Sequence, residues 1–424
     1  MDKKWLYSVC HKNIMRYRWV YRVVAKSVNL VRFAKTYVYG IKCRLNKGNS
    51  PSRKVTFVFV CNMPEVWNSF KSLYEEVTSR DDTIGYIIAH PKDLNNPDNN
   101  EMYDYLKTIS INAIKAYSYG QWFDVTSLNP DYFFYTRTYI KEYYDNYQPK
   151  YLRRYGRICV IPYGYSVDDE EIFKTIFNQW FITNVSYLFH CNKDSCLQNK
   201  ARFRVPYILG WIKLLNLGYP RFDLIRQMEY NKKDIFTVLW IPRFPIRKDE
   251  NNIGGHFLDY FYKLYDFFEK SVDCKLIIRP HPLMFERYCA YGMMVESDVN
   301  MLQEKVNNSD NVEWDLEKDY LIAMRRSDIM IADVSSLIAE YVVFGKPIIF
   351  CDNTNTFNEQ MKKIAKSFYY VNGHEELLET ICSLRKGIDP NSTLRDIARK
   401  ELIPNNEKPV SEKIVEYLLK EYIK

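Results

Sequence analysis

The sequence predicts an α/β protein with two domains, each built on an open parallel sheet, behind a basic amphipathic amino-terminal arm. Short apolar runs without alternation recur along the chain, as in strands that are covered on both faces. Helical patterns separate these runs through short connections, which is typical of parallel sheets. With 424 residues, the chain also exceeds what one hydrophobic core supports. We therefore expect an arm and linker at residues 1–52 and domains at 53–228 and 229–424.

The arm carries more than the whole net positive charge. Residues 1–54 hold fourteen Lys and Arg against one acidic residue, whereas the net charge of the chain is +8. The remainder is slightly acidic, which argues against nucleic acid as a partner. A helical pattern separates apolar from basic positions in the arm. The apolar face comprises Tyr17, Val20, Val24, Val28, Val31 and Val38, and the basic face Arg18, Arg22, Lys26, Asn29 and Arg32.

A basic amphipathic helix suits an anionic membrane surface, near which each Lys or Arg adds roughly 1 kcal/mol. The alternative is a helix that packs on the body with its basic face in water. We favour membrane contact through residues 1–45, because valine is a poor helix former and a surface would have to induce the helix. No apolar run reaches the ~20 residues of a membrane span. The scattered cysteines lack zinc or disulfide spacing, so we expect a cytoplasmic protein, peripheral on the inner face of the cell membrane.

In the first domain, ligands are expected where strands end. Such sheets bind ligands at the carboxyl ends of their strands, here at Asn62, His90 and the turn from Pro162 to Tyr165. An acidic helix start follows at Asp168. The predicted strands are Val55–Val60, Ile84–Ala89, one within Trp122–Tyr135, and one beginning at Arg157.

The second domain repeats the alternation of strand and helix. A helix is expected over residues 254–270, with a core stripe of Phe257, Phe261, Leu264 and Phe268. The predicted strands are Ile235–Ile241, Cys274–Ile278, Val312–Asp315, Ile329–Ile331 and Pro347–Phe350.

Cationic and hydroxyl side chains follow these second-domain strands. Because the carboxyl ends of parallel strands share one edge, the side chains should converge there. Ser335 or Ser336 would cap the next helix, whose first amides favour an anion. Arginines beside such a helix start indicate a phosphate site, although each residue alone is equally typical of an ordinary turn. The set comprises Arg243, Arg247, Arg279, His281 and the turn Asp333–Ser336.

Through these residues and the motifs that contain them, the chain resembles the CDP-glycerol glycerophosphotransferase family, whose members act in teichoic-acid and capsule polymer synthesis. Gly218-Tyr-Pro-Arg-Phe-Asp223 is similar to the family's Gly-x-Pro-Arg-x-Asp, and Arg279-Pro-His281 to its Arg-x-His element. The segment from Ser327 to Ser336, followed by Lys346-Pro-Ile-Ile-Phe350, is similar to its phosphate-binding strand and turn. The resemblance implies the GT-B fold, in which two Rossmann-like domains face a central cleft with their parallel sheets.

The resemblance further implies that an acceptor hydroxyl attacks a CDP-activated polyol and expels CMP. Ser335, Ser336 and Arg279 would hold the donor's pyrophosphate, with Arg243 as a second phosphate ligand. His281 would donate a proton or hydrogen bond to the phosphate or the leaving CMP, a role that suits a near-neutral pKa. Asp333 is expected to orient the turn of the donor site. No metal or other cofactor is expected, because no carboxylate pair lies on this edge.

The resemblance is incomplete in the first domain. The family usually carries His-Gly-Thr-Pro, whose histidine is thought to be the catalytic base, where this chain has Ile161-Pro-Tyr-Gly-Tyr165. Tyr163 is a poor base at neutral pH, because the unperturbed pKa of tyrosine is about 10. Either another group takes the proton, with His90, Asp168 and Asp169 as candidates, or the transferred group and acceptor differ.

Two alternatives stay open from the sequence. A GT-B glycosyltransferase that uses a nucleotide sugar would need the same phosphate-binding edge. A catalytically idle scaffold on a membrane would explain the missing His-Gly-Thr-Pro, although such a scaffold has no need for Arg279, His281, Ser335 and Ser336.

Overall fold

The structure is a computed structural model that describes residues 18–47, 53–168, 179–228, 235–245, 255–351, 357–403 and 408–423. Arg247 and Asp169, which the sequence pointed to, lie outside these ranges, as does the acidic helix start expected after Asp168. Side chains are described from residue 23 onward in the first range.

Seven parallel strands form the sheet of the first domain, in the order β3-β2-β1-β6-β7-β8-β9. Short strands β4 and β5 form a separate antiparallel hairpin. In chain order the strands are β1 (Val55–Cys61), β2 (Thr83–Ala89), β3 (Ile114–Lys115), β4 (Tyr117–Ser118), β5 (Gln121–Trp122), β6 (Tyr132–Tyr135), β7 (Arg157–Val160), β8 (Tyr187–His190) and β9 (Lys213–Asn216).

Six parallel strands form the second sheet, in the order β12-β11-β10-β13-β14-β15. Both sheets therefore begin with a central strand, grow to one side and then reverse to the other, as in a doubly wound fold. The strands are β10 (Phe236–Ile241), β11 (Cys274–Ile278), β12 (Val312–Trp314), β13 (Ile329–Ala332), β14 (Ile348–Phe350) and β15 (Tyr369–Tyr370).

Helices cover both sheets. Those up to the end of the first domain are α1 (Arg18–Lys47), α2 (Lys71–Ser79), α3 (Glu101–Thr108), α4 (Pro149–Leu152), α5 (Gln179–Ile182), α6 (Lys193–Arg202), α7 (Arg204–Ile208) and α8 (Arg221–Gln227). The others are α9 (Phe257–Glu269), α10 (Met284–Ala290), α11 (Glu296–Asn307), α12 (Leu321–Arg326), α13 (Leu337–Val343), α14 (Glu359–Ile364), α15 (His374–Arg385), α16 (Ser392–Leu402) and α17 (Val410–Ile423).

The strands of the first sheet are buried on both faces. Successive side chains of a strand point to opposite faces, so Phe57 and Phe59 of β1 join a core that includes α2 and α17. Val58 and Val60 join the core on the other face, which includes Phe33 of α1. This two-sided burial is the reason that the strands appear in the sequence as continuous apolar runs.

Helix α1 packs on the first domain through a face that the sequence did not indicate. Phe33 and Cys43 are buried, and the ring of Phe33 lies 5.6 Å from that of Phe203. The Thr36 hydroxyl donates to the carbonyl of Thr183 at 2.8 Å. Of the expected apolar face, Val24, Val28, Val31 and Val38 are exposed, whereas Tyr17 and the side chain of Val20 lie outside the described part of the chain. Part of the predicted arm is thus an integral helix of the first domain.

Helix α17 returns to the first domain, whereas the sequence-based boundaries grouped it with residues 229–424. Ile414 and Leu418 are buried in the core beneath β1 and β6. The helix begins against Asp223, whose carboxylate accepts from the amides of Val410 (2.9 Å) and Ser411 (2.8 Å). These contacts tie the carboxyl-terminal helix to a segment nearly two hundred residues earlier, which the local pattern does not reveal.

Replacing Asp223 with alanine should lower the free energy of unfolding by about 1–3 kcal/mol, because the two buried amides and the Ser411 hydroxyl lose their acceptor. Urea unfolding followed by tryptophan fluorescence measures the change. Asp396→Ala, at an exposed position of α16, is the control and should leave the midpoint unchanged. An equal midpoint for Asp223→Ala and the control would contradict this account of how α17 is anchored.

Candidate active site between the two domains

The second sheet reverses direction between β10 and β13, and the residues after these two strands form its candidate site. Such a reversal point is where doubly wound sheets bind ligands. Asp333 follows β13 and is almost completely buried. Its Oδ2 accepts from the backbone amide of Arg243 at 2.8 Å, and its Oδ1 lies 2.6 Å from Nδ1 of His256. Asp333 therefore holds the strand ends together, which agrees with an orienting role.

The two serines of the turn differ in what they do. The Ser335 hydroxyl accepts from the amide of Leu337 at 3.3 Å and so caps α13. Ser336 occupies the N-cap position, but its side chain makes no capping hydrogen bond. Its hydroxyl instead faces the first domain, since a Cβ built on Gly164 would lie 3.2 Å from the Ser336 Oγ. The turns after β7 and β13 therefore face each other across the domain boundary.

His281 lies beside Arg243 at the end of β11. Its amide donates to the carbonyl of Pro242 at 3.2 Å, and its ring packs edge-on to Phe244 at 4.6 Å. The amide of Leu283 donates to Nδ1 at 3.1 Å, so a neutral ring carries its proton on Nε2. Desolvation by its neighbours and the positive charge of Arg243 lower the pKa of His281 to about 4. This lowered pKa differs from the near-neutral value that the expected role assumed, and a neutral ring in this tautomer offers its Nε2–H as a hydrogen-bond donor.

Arg279 does not extend freely into the same space. Its Nη1 donates to Asp315 at 2.7 Å and to the carbonyl of Glu317 at 2.9 Å, and the guanidinium lies over the ring of Tyr320. A phosphate could reach only the remaining nitrogens of this side chain. The structure therefore brings together Arg243, His281 and the serine turn, and gives Arg279 a supporting position next to them.

His256 was not singled out by the sequence, yet its ring contacts the buried Asp333 of this edge. It precedes α9, stacks on Tyr260 at 5.8 Å and contacts the buried carboxylate of Asp333. A carboxylate that binds one ring nitrogen fixes the orientation and tautomer of the imidazole. His256 lies at the start of the helix predicted over residues 254–270, and a histidine at a helix start could have been considered as a candidate site residue.

The first-domain edge contributes a second polar group at its own reversal point, between β1 and β6. Glu142 accepts from the Asn62 amide at 3.0 Å and from Nε of Arg137 at 2.7 Å. The Arg137 guanidinium lies 5.4 Å from the centre of the Tyr163 ring. Burial is the main cause that raises the pKa of Tyr163 to about 12, so its phenol is a hydrogen-bond donor rather than a base. Arg137 and Glu142 were missed, although Arg137 lies only two residues beyond the end of β6.

His90 is excluded as a catalytic base by its position in the core. Its Nδ1 donates to the carbonyl of Pro91 at 2.8 Å, and its Nε2 accepts from the amide of Tyr144 at 3.2 Å. Burial lowers its pKa to about 4. Asp168 is partly exposed and pairs with Phe357 in an isolated bridge between the domains. Among the described residues, no three His, Cys, Asp or Glu side chains are grouped as metal ligands would be.

A family model for CDP-glycerol:poly(glycerophosphate) glycerophosphotransferases matches residues 199–420, slightly more than half of the chain. The chain belongs to this family. The matched region contains the second-domain edge, from Arg243 to Ser336, as well as α8 and most of α17. No curated protein sequence matches the chain significantly.

Solved structures with the same architecture include a teichoic acid enzyme and two epimerases. The wall teichoic acid polymerase TagF is 16% identical, with a TM-score of 0.56, over 94% of this chain and 98% of its own. A putative UDP-N-acetylglucosamine 2-epimerase from Listeria monocytogenes is 12% identical, with a TM-score of 0.56, over 87% and 97%. The UDP-GlcNAc 2-epimerase from Neisseria meningitidis is 15% identical, with a TM-score of 0.54, over 87% and 100%.

These likenesses show the fold, and they confirm that this glycerophosphotransferase has the GT-B architecture predicted from its sequence. Family membership also makes it an enzyme, which removes the idle scaffold as an explanation for Tyr163 in place of the family's histidine. The enzyme therefore needs a catalytic base other than the family's histidine, and the question is which residue takes the proton.

Replacing His281 with alanine should lower kcat by about 10²–10⁴-fold, because a donor to the phosphate or leaving group is lost. His281→Gln separates two roles, since an amide can donate a hydrogen bond but cannot transfer a proton. If Gln restores much of the rate, the imidazole acts as a donor; equal losses for Ala and Gln indicate proton transfer. Release of nucleotide from the donor measures the rate, and thermal unfolding checks the fold. Near-normal turnover by the alanine variant would remove His281 from the mechanism.

Proposed function

We propose that this glycerophosphotransferase moves a polyol phosphate, glycerol phosphate or a similar group, from a CDP-activated donor to a hydroxyl of a cell-envelope or capsular acceptor. The acceptor would be a polymer or a lipid-linked chain, and CMP would be released. The observation that carries the proposal is that Ser336 lies against the first-domain turn at Gly164, while Arg243 and His281 lie beside each other on the same second-domain edge as Ser336. A donor bound to one edge can thereby meet an acceptor bound to the other.

In this mechanism, the acceptor oxygen attacks the β-phosphorus of the donor. A new P–O bond forms, and the bond from this phosphorus to the bridging oxygen breaks, so that CMP leaves with the electron pair. Phosphoryl transfer asks the protein mainly for positioning and charge neutralisation. Ser336 and the start of α13 would contact the pyrophosphate together with Arg243, and Arg279 would add a donor from the side. His281 would donate from Nε2 to the phosphate or the departing CMP.

The proton of the acceptor hydroxyl requires a base in the cleft. Tyr163 is unsuited at neutral pH because of its raised pKa, and it would instead donate a hydrogen bond to the acceptor or the phosphate. Asp168 stays as the carboxylate candidate, since it is partly exposed at the contact between the domains. In a loose, largely dissociative transition state, the acceptor oxygen needs little proton abstraction before it attacks. This is consistent with an enzyme that lacks the family's histidine.

Purified protein should release CMP from CDP-glycerol or CDP-ribitol in the presence of an acceptor, and should release no nucleotide from UDP- or CDP-activated sugars. Chromatography of the nucleotides after incubation with this panel of donors measures the outcome. Turnover of a nucleotide sugar instead would favour the glycosyltransferase alternative, which uses the same phosphate-binding edge.

We further propose that the enzyme works at an anionic membrane surface, held there by α1. Val24, Val28 and Val31 of this helix are exposed by 41–54%. At about 100° per residue, they lie on the side of the helix opposite to Phe33, which packs on the first domain. None of the helices that the structure describes has the length and apolarity to cross a bilayer.

Basic and apolar groups share the outward side of α1. Lys35 and Lys42 are exposed on the same side as the valines. Nearby, α7 contacts α1, and Ile208 at its end and Leu209 just after it are exposed by 68% and 51%. An apolar stripe with flanking lysines is complementary to anionic headgroups above acyl chains. These features support a cytoplasmic enzyme that is peripheral on the inner face of the cell membrane and acts on a lipid-linked or polymeric acceptor.

The double substitution Val28→Asp and Val31→Asp should weaken binding to vesicles that contain phosphatidylglycerol by at least about tenfold, since burial of each valine contributes on the order of 1.5–3 kcal/mol. Co-sedimentation at several lipid concentrations measures the partition. Val272→Asp is the matched control, because this valine is 96% exposed on the second domain. Equal partition of the double variant and the control would place the membrane contact elsewhere.

A further inference from the structure

The segment Gly218–Asp223 contacts three separate parts of the molecule. Gly218 has a positive φ of 105°, and a Cβ at this position would lie 2.8 Å from Val410 of α17. The carbonyl of Pro220 accepts from the Ser72 hydroxyl of α2 at 2.8 Å. Asp223 binds the start of α17, as described above. The remaining charged residue of the segment, Arg221, connects the two edges of the candidate site.

Arg221 is a buried cation whose partners come from both domains. Its Nη2 donates to the Ser69 hydroxyl at 2.6 Å and to the carbonyl of Tyr163 at 3.2 Å, both in the first domain. Its Nη1 donates to Glu340 of the second domain at 2.8 Å. The Tyr219 hydroxyl also donates to the carbonyl of Tyr163, at 3.1 Å. The backbone immediately before Gly164 is therefore held from the interior.

Glu340 completes the connection on the second-domain side. It is fully buried, and its other oxygen accepts from the Tyr320 hydroxyl at 2.7 Å. Glu340 lies in the first turn of α13, the helix that begins directly after Ser336. Holding Glu340 therefore holds the serine turn, while Arg221 holds the Tyr163 turn. A buried charge pair is sensitive to geometry, because either ion is costly without its partner.

We propose that Arg221 and Glu340 are positioning residues that hold the turn at Tyr163–Gly164 against the turn at Ser335–Ser336 and so set the width of the cleft. Neither residue has to touch the substrate. The consequence for turnover rests on the proposed function, whereas the consequence for the distance between the turns does not.

A disulfide across the cleft reports this distance without any substrate. The Cβ built on Gly164 lies 3.4 Å from the Cβ of Ser336, close to the separation of about 3.5–4.5 Å in disulfides. In the full chain with Gly164→Cys and Ser336→Cys, a mild oxidant should cross-link the two turns rapidly. Peptide mapping of the oxidised protein identifies this bond among the native cysteines.

Adding Arg221→Met should slow this cross-link at least tenfold, because the turns lose their shared anchor. Glu340→Gln keeps the shape of the side chain but removes its charge, and should slow the cross-link about threefold. Arg326→Met is the matched control and should leave the rate unchanged, since Arg326 pairs with Glu313 on the exposed surface at 2.8 Å. Cross-linking in Glu340→Gln at the parent rate would overturn the proposal, even if Arg221→Met did not fold.

Kinetics of the variants without the added cysteines test the second consequence. Glu340→Gln should lower kcat by about tenfold and change the Kd for CMP by less than about threefold, because CMP would bind to the second-domain edge without requiring the two turns to be aligned. Arg221→Lys should recover part of the loss in kcat seen with Arg221→Met. A purely structural pair would lower thermal stability but leave kcat per folded molecule unchanged, which would contradict the positioning role. A slowed cross-link in a protein that turns over no CDP-polyol would count against the proposed function alone.

Discussion

The second-domain edge depends on one buried carboxylate. Asp333 accepts from the backbone of Arg243 after β10 and contacts the ring of His256 before α9, so three segments that are distant in sequence share one anchor. A buried carboxylate is costly unless its oxygens are matched by donors, and this requirement leaves little freedom to the loops around it. The serine turn follows Asp333 directly. Its hydroxyls are therefore positioned before any ligand arrives, which lowers the ordering cost of binding.

Much of the fold follows from local patterns. Strands that are buried on both faces have to be continuous apolar runs, and β1, β2, β10, β11 and β13 lie within a residue or two of their predicted positions. The aromatic stripe from Phe257 to Phe268 is buried, as its helical spacing predicted. The edge could be predicted as well, since the geometry of parallel sheets places every strand end on one side. Strands β8, β9 and β15 were not predicted; β9 and β15 lie at the edges of their sheets, where partly exposed side chains interrupt the apolar pattern.

Pairings between distant residues account for what the sequence did not reveal. His256 and Asp333 are 77 positions apart, and Arg221 and Glu340 are 119 positions apart. In neither pair does the local sequence around one residue indicate the other. Arg279 was placed correctly at a strand end, but the sequence could not show that one of its nitrogens donates a hydrogen bond to Asp315. Likewise, the regular valines of α1 were expected to contact a membrane, and the sequence did not show that Phe33 and Cys43 of the same helix would pack on the first domain.

The return of α17 to the first domain has a mechanical consequence. The polypeptide passes from one lobe to the other twice, and segments that flank the two passages lie side by side, since a Cβ on Gly218 would be 2.8 Å from Val410. Two adjacent connections resist twisting of one domain relative to the other better than a single connection does. They still allow the domains to bend about the line that the connections share. We therefore expect the cleft to open by a hinge rotation about the line of these two connections, with little sliding of one domain past the other. A long acceptor chain could then enter while the two edges stay aligned.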